Sequence, residues 1–133
     1  MNIAALIRYF EELSPASLPR LPEFYTETAF FKDPFNEVRG SKAIQRIFAH
    51  MFERTVAPRF VVTEKLADEN SAMLVWEFRY GQGQRIRGVS HLRFAEDGRV
   101  AYHRDYWDAA EELYMKLPVL GALMRWLRRR LAA

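Results

Sequence analysis

The chain has 133 residues, half of them hydrophobic and 14% aromatic, which is the size and apolar content of one globular domain with a real core. It contains no cysteine, which excludes a disulfide framework and any thiolate-held zinc or iron–sulfur centre. The formal net charge of +3 is modest and concentrated at the end of the chain, in Arg125, Arg128, Arg129 and Arg130, so no basic face of the kind a nucleic-acid partner requires is expected.

From the N-terminus, Ile3, Leu6, Ile7, Phe10 and Leu13 recur at helical spacing and predict a first helix that stops at Ser14-Pro15, with Tyr9 beside the stripe. Arg8 and two glutamates interrupt this segment, so it does not read as a signal peptide, and no apolar run is long enough for a membrane span. A soluble cytoplasmic protein is expected. After three prolines, a short helix is predicted around Leu21 to Thr26, and "TAFFKDP" reads as a strand ended by Pro34. Ser41 is the expected N-cap of a second helix with Ile44, Ile47, Phe48, Met51 and Phe52 on its apolar face. Four strands follow, over Arg59 to Leu66, Ala72 to Tyr80, Gln84 to Phe94 and Arg99 to Trp107. "GQG" at 81–83 and "EDG" at 96–98 supply the turn chemistry of an antiparallel meander. The tail is predicted as a short helix from Asp108 to Leu117 and a second from Pro118 to Leu131, apolar at Leu120, Leu123, Met124, Leu127 and Leu131. The expected fold class is α+β, a curved, mostly antiparallel sheet with helices packed on one side.

Alternation sorts strand residues into faces. His103, Asp105 and Trp107 share one; so do Ser90, Leu92 and Phe94, and so do Met73, Val75, Glu77 and Arg79. If these faces line one concavity, its walls are Phe31, Met73, Val75, Leu92, Phe94 and Trp107. Its polar groups are then Asp33, Asp105, Glu77, Arg79, His103, Ser90 and Tyr9, a set suited to proton transfer in a small-molecule pocket. No metal site is expected, because His103 with Asp105 is too few ligands. His50 and His91 are left out of the site. The opposite face, with Leu74, Trp76, Phe78 and Tyr80, would be an exposed apolar patch and predicts a homodimer.

The order of elements resembles the cone-shaped nuclear transport factor 2-like fold, including the SnoaL-like families, over nearly the whole chain up to about Asp108, and the cone domain is taken as residues 1–117. "FFKDPFNEVRGSKAI" resembles the segment of ketosteroid isomerases that carries the general base, and "GRVAYHRDYWD" resembles the last strand of limonene-epoxide hydrolases. The isomerase resemblance implies Asp33 as base and Tyr9 as oxyanion donor, with Ser90 where the family has a protonated aspartate. The hydrolase resemblance implies Asp105 as an acid/base group, with Glu77 and Arg79 where the family has Arg and Asp, and Phe31 and Asp33 where it holds its water. Together they imply a dimeric, cofactor-independent isomerase, cyclase or hydrolase acting on a small apolar molecule. The residues leave other readings open. Asp105, Arg79 and Glu77 also suit a buried ion-pair network, Asp33 a turn, Tyr9 a core position, and the whole chain a non-catalytic ligand-binding or dimerisation module. The basic helix over 118–133 suits a lid, a dimer contact or, less readily, an anchor on a membrane surface.

Overall fold

Turn residues at 81–83 and 96–98, between long alternating runs, produce the expected meander. The computed structural model describes residues 2–109 and 118–132. In chain order these form helix α1 (Ile3–Glu11), a 3-10 helix (Pro15–Glu23), strands β1 (Tyr25–Lys32) and β2 (Glu37–Arg39), helix α2 (Ser41–Arg54), strands β3 (Arg59–Ala67), β4 (Ser71–Tyr80), β5 (Gln84–Phe94) and β6 (Val100–Tyr106), and helix α3 (Pro118–Leu131). The strands make one curved sheet in the order β2-β1-β6-β5-β4-β3. Only the β1 to β6 pairing is parallel. The α+β cone is therefore the fold of this chain. The stretch 110–117, on which the expected helix after Asp108 falls, lies outside the described residues.

The core lies between the concave face of the sheet and the N-terminal helices. Leu6 and Phe10 of α1, Leu21 of the 3-10 helix, and Ile44 and Phe48 of α2 pack against Tyr25, Phe31, Leu74, Trp76 and Leu92 of the sheet. Removing this apolar surface from water is the main favourable term in forming the cone.

Four local expectations need correction. The helix expected at Leu21 to Thr26 is a 3-10 helix over Pro15–Glu23, opened by a capping box between Ser14 and Ser17, and Tyr25 and Thr26 already belong to β1. Strand β2, three residues long, is too short to show any alternation in the sequence; it pairs with β1 through the turn at 33–36. The N-cap of α2 is Gly40, not Ser41, which is the first helical residue and is buried. Gly40 has φ +107° and donates its backbone N–H to Ala29 O, so the chain leaves β2 in a conformation that suits glycine alone.

The fourth correction concerns β4, whose two faces are opposite to expectation. Leu74, Trp76 and Phe78 are buried on the concave side, whereas Met73, Val75, Glu77 and Arg79 lie on the convex one. Register explains this: Leu74 pairs with Ser90 and Ala72 with Leu92, and paired residues share a face. Burying Leu74, Trp76 and Phe78 removes more apolar surface from water than burying Met73 and Val75, and it leaves the Glu77 and Arg79 charges solvated. The apolar patch expected to hold a partner subunit is thus part of the core.

The ring of Trp76 lies over Gly88, its cross-strand partner. A Cβ on residue 88 would sit 2.6 Å from Cζ2 of Trp76 and closer still to Cη2. The ring cannot swing away freely, because Phe60 packs edge-on against it. Gly88→Ala is expected to destabilise the protein by about 1–3 kcal/mol through overpacking, read as a lower urea midpoint at unchanged slope.

Candidate functional site

Strand β6 runs down the middle of the sheet, and its inward alternation aims His103 and Asp105 at the concave side. The neighbouring β5 aims Ser90 and Leu92 the same way, since Ser90 pairs with Asp105 and Leu92 with His103. Leu92 is fully buried beneath the site. These are the faces the alternation predicts. A cavity of about 390 Å³ opens above them, between the sheet and α2. Phe31, Ile47, Phe48, Met51, Phe60, Trp76, Phe78, Ile86 and Trp107 make its apolar walls, and Asp33, Asn36, Arg46, His50 and Asp105 are its polar lining. A hollow of about 20 Å³, bounded by Ser90, His103, Leu74 and Phe10, shares Phe48, Phe60, Trp76 and Asp105 with it.

A hydrogen-bonded chain runs from the core to the cavity. Tyr25 OH is 2.6 Å from His103 Nδ1, and His103 Nε2 is 2.6 Å from Asp105 Oδ1. Trp76 Nε1 donates to Ser90 Oγ at 2.9 Å, and Ser90 Oγ donates to the same Asp105 Oδ1. With Asp105 as a carboxylate and His103 as a neutral imidazole, the single ring proton sits on Nε2 facing Asp105 and the Tyr25 hydroxyl donates to Nδ1. Every other polar side-chain atom of this network then has a partner. Asp105 Oδ2 differs: among the described residues it accepts no hydrogen bond, and the carboxylate lines the cavity with its side chain 14% exposed, against 4% for His103. One carboxylate oxygen is held by two donors while the other accepts from none of the described residues.

His103 is fixed on all sides. Its ring stacks on Tyr25 at 5.9 Å and meets Phe31 and Phe10 edge-on at 4.8 and 6.0 Å. Burial, with the Asp105 carboxylate adding to it, holds the Tyr25 phenol well above its ordinary pKa. Burial likewise pushes Tyr9 up to about 12 against the opposing pull of Arg20. For a phenol whose folded pKa exceeds the unfolded one, the stabilisation is complete below about pH 10 and is lost as pH climbs through the folded value. In an alkaline absorbance titration, Tyr9 and Tyr25 are therefore expected to ionise after the other tyrosines, together with loss of the fold. Six tyrosines ionising as one class on an intact fold would contradict this.

The remaining candidates are placed elsewhere or otherwise engaged. Tyr9 is in the core: its hydroxyl donates to Ser17 O at 3.0 Å, its ring stacks on Phe24 at 4.3 Å, and it does not line the cavity. Asp33 does line the cavity, but it caps the turn between β1 and β2. Its Oδ1 accepts from the backbone N–H of Phe35 at 2.8 Å and of Asn36 at 2.6 Å, and Asn36 Nδ2 reaches both its oxygens. Glu77 and Arg79 pair with each other at 3.0 Å on the convex face, joined by Arg85, and are separated from Asp105 by the sheet. Met73 and Val75 lie beside them and do not line the cavity. Phe31 and Trp107 are in the cavity wall, Trp107 with Phe35 against it. Two members of the network, Tyr25 and Trp76, carry no sequence signal of a polar role, and Arg46 and His50 line the cavity from one side of α2, four residues apart. Among the described residues no three His, Asp or Glu side chains are grouped to hold a metal ion, and no helix is long and apolar enough to cross a membrane.

Among solved structures, the chain superposes on a nuclear transport factor 2-like protein of unknown function from Burkholderia pseudomallei with a TM-score of 0.71 at 16% identity, covering 84% of this chain and 95% of that one. It superposes on a putative isomerase of the SnoaL-like family from Agrobacterium tumefaciens with a TM-score of 0.69 at 15% identity, covering 80% and 93%. For a steroid delta-isomerase from Pseudomonas aeruginosa the TM-score is 0.64 at 24% identity, covering 98% and 92%. At these identities the likeness is one of fold. No curated protein matches the chain. The sequence profile of the SnoaL-like domain matches residues 6–103, from the first helix to the histidine of the buried network, and the chain belongs to that family.

Proposed function

We propose that this protein is a cofactor-independent acid/base enzyme that isomerises a small, apolar, carbonyl-bearing molecule, with Asp105 as the base. The observation that carries this reading is the asymmetry of the Asp105 carboxylate, which lines an apolar cavity with Oδ1 held by His103 and Ser90 and with no hydrogen bond to Oδ2 among the described residues. A carboxylate in that position can take a proton from a carbon next to a carbonyl. The C–H bond breaks, an O–H bond forms on Oδ2, and the electron pair moves onto the carbonyl oxygen. The same carboxyl then returns the proton at another carbon, so one free oxygen suffices. Arg46 and His50 are donors in the lining available to the developing oxyanion. Hydration or epoxide opening asks for a second acid/base partner, and the residues expected to supply it, Glu77 and Arg79, are on the other side of the sheet.

The experiment is deuterium incorporation in heavy water, followed by NMR, for a panel of cyclic β,γ-unsaturated ketones. Exchange next to the carbonyl with formation of the conjugated isomer is expected with the native protein. Ketone binding without exchange would instead support a ligand-binding module on the same fold.

A further inference from the structure

The large apolar side chains of helix α3 that the structure describes are exposed. Leu123, Leu127 and Leu131 recur every four residues and so share one face, and Trp126 flanks it. These side chains are 51%, 38%, 83% and 48% exposed, respectively. None of the other described helices or strands packs extensively against α3. A contiguous exposed stripe of this kind marks an interaction surface.

The charge on the helix says what kind. α3 contains no acidic residue, and Arg128, Arg129 and Arg130 stand in its last turn. The Arg130 guanidinium lies 5.5 Å over the ring of Trp126, placing an indole and a cation together at the border of the apolar face. Both groups find favourable partners at the headgroup level of a bilayer. A second copy laid against the stripe, in either direction, brings no acidic residue on its own α3 and so offers these arginines no counter-charge. A layer of lipid phosphates meets the arginines with opposite charge while the leucines enter the acyl boundary. We propose that α3 docks this protein on an anionic phospholipid surface, lying in the plane of the interface.

The test is co-sedimentation of the full chain with vesicles of mixed phosphatidylcholine and phosphatidylglycerol, against phosphatidylcholine alone. Binding to the mixed vesicles is expected to be at least roughly tenfold tighter and to weaken with added salt. Arg129→Gln with Arg130→Gln, both exposed and outside the core, is expected to weaken it by roughly tenfold or more. Leu127→Ser with Leu131→Ser is expected to abolish it with an unchanged circular dichroism spectrum. No binding to either vesicle, equal binding to both, or binding that neither pair of substitutions alters would each overturn the proposal. So would a dimer in solution that Leu127→Ser with Leu131→Ser dissolves, in the absence of vesicle binding, since the stripe's cover would then be a second copy.

Discussion

Replacing Asp105 by asparagine is expected to lower kcat for ketone isomerisation by about 10²- to 10⁴-fold, the range typical of removing a positioned general base. The substitution separates chemistry from architecture. An asparagine oxygen can still accept from Ser90 and from His103 Nε2, so the network that now converges on Oδ1 keeps its acceptor. What disappears is the basic oxygen in the cavity. The urea midpoint should therefore move little, and a ketone that binds the native protein should still bind. Two results would remove the base assignment: an Asp105→Asn variant that is fully active, or one that unfolds. In the second case the carboxylate is a structural pin for β5 and β6. The same measurement on Asp33→Asn discriminates between the two carboxylates. Asp33 is occupied by the N–H groups of its own turn, so that variant should retain most of the turnover and lose some stability instead.

The largest stability effect is expected at Trp76. Its ring forms part of the wall of both the main cavity and the small hollow beside it, meets Phe60 edge-on, covers Gly88, and holds Ser90 through its indole N–H. Trp76→Ala removes all three contacts and is expected to cost about 3–5 kcal/mol in chemical denaturation. Trp76→Phe keeps most of the packing but takes the donor from Ser90, and should cost about 1–2 kcal/mol, in line with one lost buried hydrogen bond. The second variant also tests whether Ser90 orients Asp105: if it does, turnover falls more than the stability loss explains. A Trp76→Ala cost below about 1 kcal/mol would mean that the ring does not fill the concave face as described.

The site was legible where a strand had one face that could only be the inner one. On β6 and β5, period-2 alternation brought His103, Asp105, Ser90 and Leu92 to one side, and pairing places them together. On β4 the same alternation separated two sets but could not say which set is covered. Both sets contain apolar residues, and the polar ends of Glu77 and Arg79 read equally well as pocket chemistry or as a solvated pair. Packing against α1, α2 and β3 decides this, because the larger apolar set goes under the helices. Tyr25 illustrates a second limit. It lies 78 residues from the histidine it bonds, and the contact exists only because β1 runs parallel beside β6, a pairing that leaves no local pattern.

Composition, turn residues and periodicity were thus enough for the α+β class, for the meander, and for a carboxylate facing inward on the last strand, since each depends on spacing along the chain. The inner face of β4, the use of Asp33 as a turn cap, the place of Tyr9 in the core, and the buried partners of Asp105 were decided only by the tertiary structure. Each of these is a competition between alternative contacts, and its outcome depends on which distant surfaces the folded chain brings together.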